Sequence, residues 1–177
     1  TVALVLGGAR SGKSRHAESL CHGRKLYVAT AEAFDDEMRA RIARHQAQRG
    51  EGWETVEAPL NLVAALNDPS FRRKPESMAG MGRGDATILI DCITVWLGNL
   101  MHHGMDLPAE VARLCAALRQ MTCDVVIVSN EVGLSIVPEN ALARRFRDEQ
   151  GLANQRLAEV ADKVVFVAAG LPLTLKG

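Results

Sequence analysis

Residues 7–14 read Gly7-Gly8-Ala9-Arg10-Ser11-Gly12-Lys13-Ser14, a complete G-x-x-x-x-G-K-[ST] pattern. It follows an apolar, β-prone run at 2–6 and opens a helix-compatible stretch, Lys13-Ser14-Arg15-His16-Ala17-Glu18-Ser19-Leu20. Strand, glycine loop and helix in that order form the context in which this pattern cradles phosphate. The glycines let the backbone curl until successive N–H groups and a helix N-terminus face an anion. Lys13 then reaches the β- and γ-phosphates, and the Ser14 hydroxyl is placed to ligate Mg²⁺. A plain glycine turn is the bland alternative, and the flanking strand and helix speak against it. The chain is expected to handle a nucleoside triphosphate.

The rest of the sequence fits a fold that can carry such a loop. Nearly continuous apolar, β-branched runs at 2–6, 26–29, 87–90, 125–128 and 164–167 read as buried parallel strands. Helical patterns lie between them, at about 13–21, 35–49, 60–66, 94–102, 108–121 and 140–161, and residues 53–57 and 173–176 add edge strands. Strands alternating with helices predict an α/β class: one P-loop (RecA-like) domain with a mostly parallel, doubly wound sheet. At 177 residues and 47 % hydrophobic content the chain suits one domain with a sizeable core. Residues 68–85 are rich in Gly, Pro and charge, and are expected to form a surface loop.

Composition also removes function classes. Lys plus Arg and Asp plus Glu are equal at 21 each, so no net field draws the chain to nucleic acid or a membrane surface. No apolar run approaches the length of a membrane span. The first residues read as a strand rather than a signal peptide, so a cytoplasmic protein that has lost its initiator Met is expected. Cys21, Cys92, Cys115 and Cys123 lack a C-x-x-C spacing and are expected to be reduced thiols. His102-His103 are expected to lie at a solvated helix end, where the dipole favours them.

Three further places carry chemistry. The run Ile88-Leu89-Ile90-Asp91 is an apolar strand ending in a carboxylate, the position from which P-loop proteins orient Mg²⁺ directly or through water. A turn or N-cap role for Asp91 is the alternative. Ser129-Asn130-Glu131 ends the next strand, and the carboxyl ends of parallel strands face the ligand crevice. On the helix from Asp35, the side chains of Met38, Ile42, His45 and Arg49 share one face. Arg39, Arg41 and Arg44 surround His45 and can hold phosphates around an imidazole nitrogen able to act as nucleophile. A core histidine remains the bland reading.

Together these residues resemble the family of bifunctional adenosylcobinamide kinase / adenosylcobinamide-phosphate guanylyltransferases of cobalamin biosynthesis. Four stretches carry the resemblance: GGARSGKSRHAE (7–18), YVATAEAFDDEMRARIARHQAQR (27–49) with WETVE (53–57), DCITVWLGNL (91–100), and SNEVGLSIVPENALARRFRDEQGLANQ (129–155). Together they span nearly the whole chain except residues 68–85. The resemblance implies two reactions. The hydroxyl of adenosylcobinamide's aminopropanol arm first takes a γ-phosphoryl group from ATP or GTP. GTP then gives GMP to a histidine, and adenosylcobinamide phosphate attacks that phosphoramidate to give adenosylcobinamide-GDP.

In the family motif R-I-x-x-H the histidine accepts GMP, and here it is His45. The resemblance further implies that Gly7–Ser14, Ala29, Thr30, Ala31, Gln46, Ala47, Gln48, Arg49, Glu57 and Asp91 contact guanine nucleotide, with Lys13 catalytic and Ser14 and Asp91 on Mg²⁺. Glu57 is a sensible guanine reader, since a carboxylate accepts from N1–H and the exocyclic amine. Its alternative is a surface carboxylate. The resemblance also implies a homo-oligomer, a trimer. Gly50 stands where the family commonly has Pro, Ser135 where Gly is usual, and 68–85 reads as an insertion.

Three competing readings differ in what they require. A P-loop kinase on another small molecule would form no GMP–protein adduct. A nucleotide-switch protein would carry an N-K-x-D motif, which the chain lacks. A RecA-like ATPase on nucleic acid would be basic, and this chain is neutral.

Overall fold

The structure is a computed structural model and describes residues 1–32, 52–67 and 86–177. The expected helix at 35–49, with His45 and residues 46–49, and the expected loop at 68–85 lie outside the described residues. In chain order the elements are β1 (Val2–Gly7), α1 (Lys13–Ser19), β2 (Arg24–Ala29), β3 (Trp53–Glu57), α2 (Leu62–Asn67), β4 (Ala86–Asp91) and α3 (Ile93–His102). There follow α4 (Leu107–Arg119), β5 (Asp124–Asn130), α5 (Ala141–Val160), β6 (Lys163–Ala168) and β7 (Leu171–Lys176).

The strands form one seven-stranded sheet in the order β3-β2-β4-β5-β1-β6-β7. Every pairing is parallel except β6 with β7, which is antiparallel. Side chains that alternate along each strand feed two cores. On one face Leu4, Leu26, Val28, Ile88, Ile90 and Ile127 pack with Leu62, Trp96, Leu100, Leu114 and Leu157 from α2, α3, α4 and α5. On the other, Val5, Tyr27, Leu89, Val126 and Val165 pack with Ala17 of α1 and with Cys21. The sheet is therefore covered on both faces, as the near-continuous apolar strands require.

Local chemistry sets the helix ends. The Asp106 carboxylate accepts from the Ala109 N–H at 3.0 Å and caps α4, with Pro108 in its first turn. Asn140 caps α5 by accepting from Leu142 and Ala143. Helix α1 is different: its N-cap is Gly12, and no side chain caps it. Its leading N–H groups are left to an anion rather than to the protein.

Candidate active site

The phosphate loop joins β1 to α1 at the carboxyl rim of the sheet. A Cβ at Gly7 would come within 2.6 Å of the Val167 carbonyl oxygen and 2.5 Å of Ser11 Oγ, so only glycine fits. Gly12 adopts φ +94°, a left-handed conformation that side chains disfavour. The loop is braced from β6–β7, where the Gly170 N–H donates to Ser11 O at 2.8 Å. Lys13 Nζ donates to Gly8 O at 3.2 Å, which folds the ammonium back across the loop. Its charge reaches Cys92, where it opposes the rise in thiol pKa caused by burial and by Asp91.

Asp91 ends β4 on the same rim. β5 lies between β4 and β1, so Asp91 faces the loop across two strand spacings, about 10 Å. Tyr27 Oη donates to Asp91 Oδ2 at 3.1 Å and steadies the carboxylate. Ala29 is in register with both Asp91 and Glu57, which levels three strand ends. Glu57 is exposed at the end of edge strand β3 and is open to a ligand. Ser14 and Asp91 offer a hydroxyl and a carboxylate, an all-oxygen donor pair of the kind Mg²⁺ selects.

Thr30 is held on several sides by the protein itself. It is fully buried. Its Oγ1 donates to Cys92 O and accepts from Cys92 N–H, both at 2.8 Å. Its N–H donates to Asp91 O at 3.3 Å, and its carbonyl accepts from Asn99 Nδ2 at 2.7 Å. Thr30 thus clamps the end of β2 to the end of β4 and fixes where Asp91 points. Ala29 is buried beside it, and Ala31 is half-buried.

The end of β5 is held from beneath. Ser129 Oγ donates to Asn154 Oδ1 at 2.7 Å, Gln150 Nε2 donates to Ser129 Oγ at 2.9 Å, and Asn154 Nδ2 donates to Asn130 O at 3.1 Å. Asn130 pairs with Gly7, and the Glu131 N–H donates to Gly7 O at 3.1 Å. The trio 129–131 therefore sits at the phosphate loop, as its place at a strand end suggested.

Tyr27, Asn99, Gln150 and Asn154 did not emerge from the sequence. Gln150 and Asn154 left a trace: they interrupt the apolar stripe of α5 that includes Phe146, Ala153 and Leu157. Polar side chains at core positions need partners, and here those partners are Ser129 and the Asn130 carbonyl. Tyr27 and Asn99 read as ordinary strand and helix residues.

A glycine phosphate loop, an acidic strand end two strands away and a polar strand end between them define a P-loop α/β protein. In open parallel sheets ligands bind at the carboxyl ends of the strands. Residues 3–175 match the family described as "Cobinamide kinase / cobinamide phosphate guanyltransferase". The chain is 44 % identical to the bifunctional adenosylcobalamin biosynthesis protein CobP of Pseudomonas aeruginosa, covering 98 % of this chain and 96 % of that protein. It is 40 % identical to the bifunctional adenosylcobalamin biosynthesis protein CobU of Salmonella typhimurium, covering 98 % of each. Among solved structures it is similar to the RadB recombinase, with a TM-score of 0.49 and 14 % identity over 93 % of this chain and 73 % of that one. The protein belongs to the cobinamide kinase / cobinamide phosphate guanyltransferase family of bifunctional enzymes. Among the described residues no helix is long and apolar enough to cross a membrane.

Proposed function

We propose that one nucleotide site serves both reactions. In the first, the chain phosphorylates the aminopropanol hydroxyl of adenosylcobinamide with ATP or GTP. In the second, His45 takes GMP from GTP and passes it to adenosylcobinamide phosphate. The observation that supports this reading is the common rim: Gly7–Ser14, Asp91 and Glu57 lie at the carboxyl ends of three strands of one sheet. Glu57 lies further along the same rim from the loop, and its carboxylate matches the donor edge of guanine.

In the kinase step the loop amides and Lys13 neutralise the oxygens around the transferred phosphoryl group. Ser14 and Asp91 are the residues suited to hold Mg²⁺, which would supply further charge to the phosphates. In the guanylyl step an unprotonated nitrogen of His45 attacks the α-phosphorus and pyrophosphate leaves with the electron pair. An oxygen of the cobinamide phosphate then displaces the imidazole. The arginines at 39, 41, 44 and 49 suit the phosphates of that intermediate. A homo-oligomer, a trimer, belongs to this reading through the family resemblance.

The test uses GTP labelled on the α-phosphate. Wild-type protein is expected to retain label under denaturing, non-acidic conditions and to lose it in acid, as a phosphorus–nitrogen bond does. His45→Asn is expected to abolish labelling while phosphorylation of cobinamide persists, because only the guanylyl step needs the imidazole. Labelled His45→Asn protein would remove His45 as the acceptor.

A further inference from the structure

The loop between β5 and α5, which leaves the carboxyl end of the sheet, exposes three large aliphatic side chains. Leu134, Ile136 and Val137 are 83 %, 93 % and 61 % exposed. The segment is tied down at both ends. The Glu131 N–H donates to Gly7 O at 3.1 Å, and the Gly133 N–H donates to Glu131 Oε1 at 2.6 Å. At the far end Arg144 Nη1 donates to the carbonyls of Pro138 and Glu139 at 2.9 and 2.6 Å. A tethered loop that keeps a cluster of aliphatic groups in water is the signature of a docking surface.

The hydrogen bond from Glu131 to Gly7 starts this loop at the phosphate loop, three residues before Leu134. That placement identifies the occupant. The family's substrate is a broad corrin ring with methyl-bearing faces and an amide rim, and its reacting hydroxyl hangs on a short arm. When the hydroxyl meets the γ-phosphate, the ring must rest one arm's length from Gly7–Ser14. An aliphatic surface anchored on Gly7 is where a face of that ring can shed water.

We propose that Leu134, Ile136 and Val137 form the seat of the corrin ring, so that the loop after β5 sets recognition of the alcohol substrate. This rests on the kinase reading above. The side chains act by binding alone and take no part in bond making.

The test compares wild type, Ile136→Ser and the double variant Leu134→Ser/Ile136→Ser as full chains, with Leu152→Ser, an exposed leucine on α5, as a matched control. With nucleotide saturating, the KM for cobinamide is expected to rise about tenfold or more in Ile136→Ser, the scale of uncovering one large aliphatic side chain, and further in the double variant. kcat should change little. Equilibrium dialysis of cobinamide should weaken in parallel, Leu152→Ser should match wild type, and the yield of GMP-labelled protein from α-labelled GTP should stay at the wild-type level. Unchanged KM and dialysis constants in the double variant would overturn the proposal. So would a weakened KM that appears only together with a fall in sedimenting mass, which would assign the patch to a second copy of the chain. Wild-type protein that binds cobinamide but does not phosphorylate it would count against the kinase reading alone, because dialysis reports docking without turnover.

Discussion

Lys13 rests its ammonium on the Gly8 carbonyl at 3.2 Å, a neutral acceptor that a triphosphate can outbid with charged oxygens. Lys13 is the cation that this motif aims at the β/γ-phosphates. Lys13→Ala is expected to slow both cobinamide phosphorylation and protein guanylylation by on the order of a hundredfold or more, the loss seen when one preorganised charge-stabilising donor is removed. Normal turnover in either assay would require a second triphosphate site. Glu57 is exposed at the sheet edge, so its replacement should leave folding untouched and report on recognition alone. Glu57→Gln sets amide donors against the donor edge of guanine, at an expected cost of about 1–3 kcal/mol in GTP binding. ATP binding should change much less. Equal losses for the two nucleotides in competition measurements would remove Glu57 from base reading.

At the scale of elements, the site depends on how strand ends are pinned. Thr30 closes two 2.8 Å hydrogen bonds on the backbone of Cys92 and so locks β2 to β4 just past Asp91. Thr30→Val keeps the shape and deletes the hydroxyl, leaving a buried N–H and C=O at Cys92 without that partner. The expected loss is about 1–3 kcal/mol of unfolding free energy in urea, with Thr30→Ser close to wild type. A Thr30→Val protein as stable as wild type would show that the clamp is dispensable. Strands β1, β4 and β5 were legible because each lies buried between two layers and reads as an unbroken apolar run, such as Val125 to Val128, whereas the edge strands β3 and β7 are largely exposed. The described helices lie within about two residues of their expected spans, since Asn140 and Asp106 announce their caps, and the motif foretold that Gly7–Ser14 and Asp91 follow or end buried strands. The order of the strands was not legible. Which strand separates Asp91 from the phosphate loop depends on long-range pairing, and local pattern does not encode it. The family resemblance places Thr30 at the nucleotide, and what it does not reveal is that the hydroxyl also bonds a backbone sixty-two residues away.

Across the whole molecule one sheet joins two cores, and the cysteines sample both. Cys115 belongs to the core beneath α4 and α5, Cys21 to the core beneath α1, and Cys92 lies at the carboxyl rim. Burial pushes the Cys21 thiol up to about 12 and, with the Asp91 carboxylate, the Cys92 thiol up to about 11, and it raises Cys115 as well. The reactive thiolate is therefore scarce in the folded protein, and alkylation must wait for opening. Because β1, β4 and β5 are buried on both faces, neither core can be exposed without breaking the shared sheet. Cys21 and Cys115 are accordingly expected to lose protection at the same urea concentration. GTP bound at the rim stabilises only the folded chain, by about 2.7 kcal/mol at a hundredfold excess over its Kd. Alkylation of Cys21 and of Cys115, on opposite faces, should then slow by about the same hundredfold, although Cys115 lies far from the phosphate loop. Mass spectrometry of peptides after timed alkylation reads the two sites separately. Slowing at Cys21 with none at Cys115 would mean that the faces open independently and that the sheet does not act as one cooperative unit.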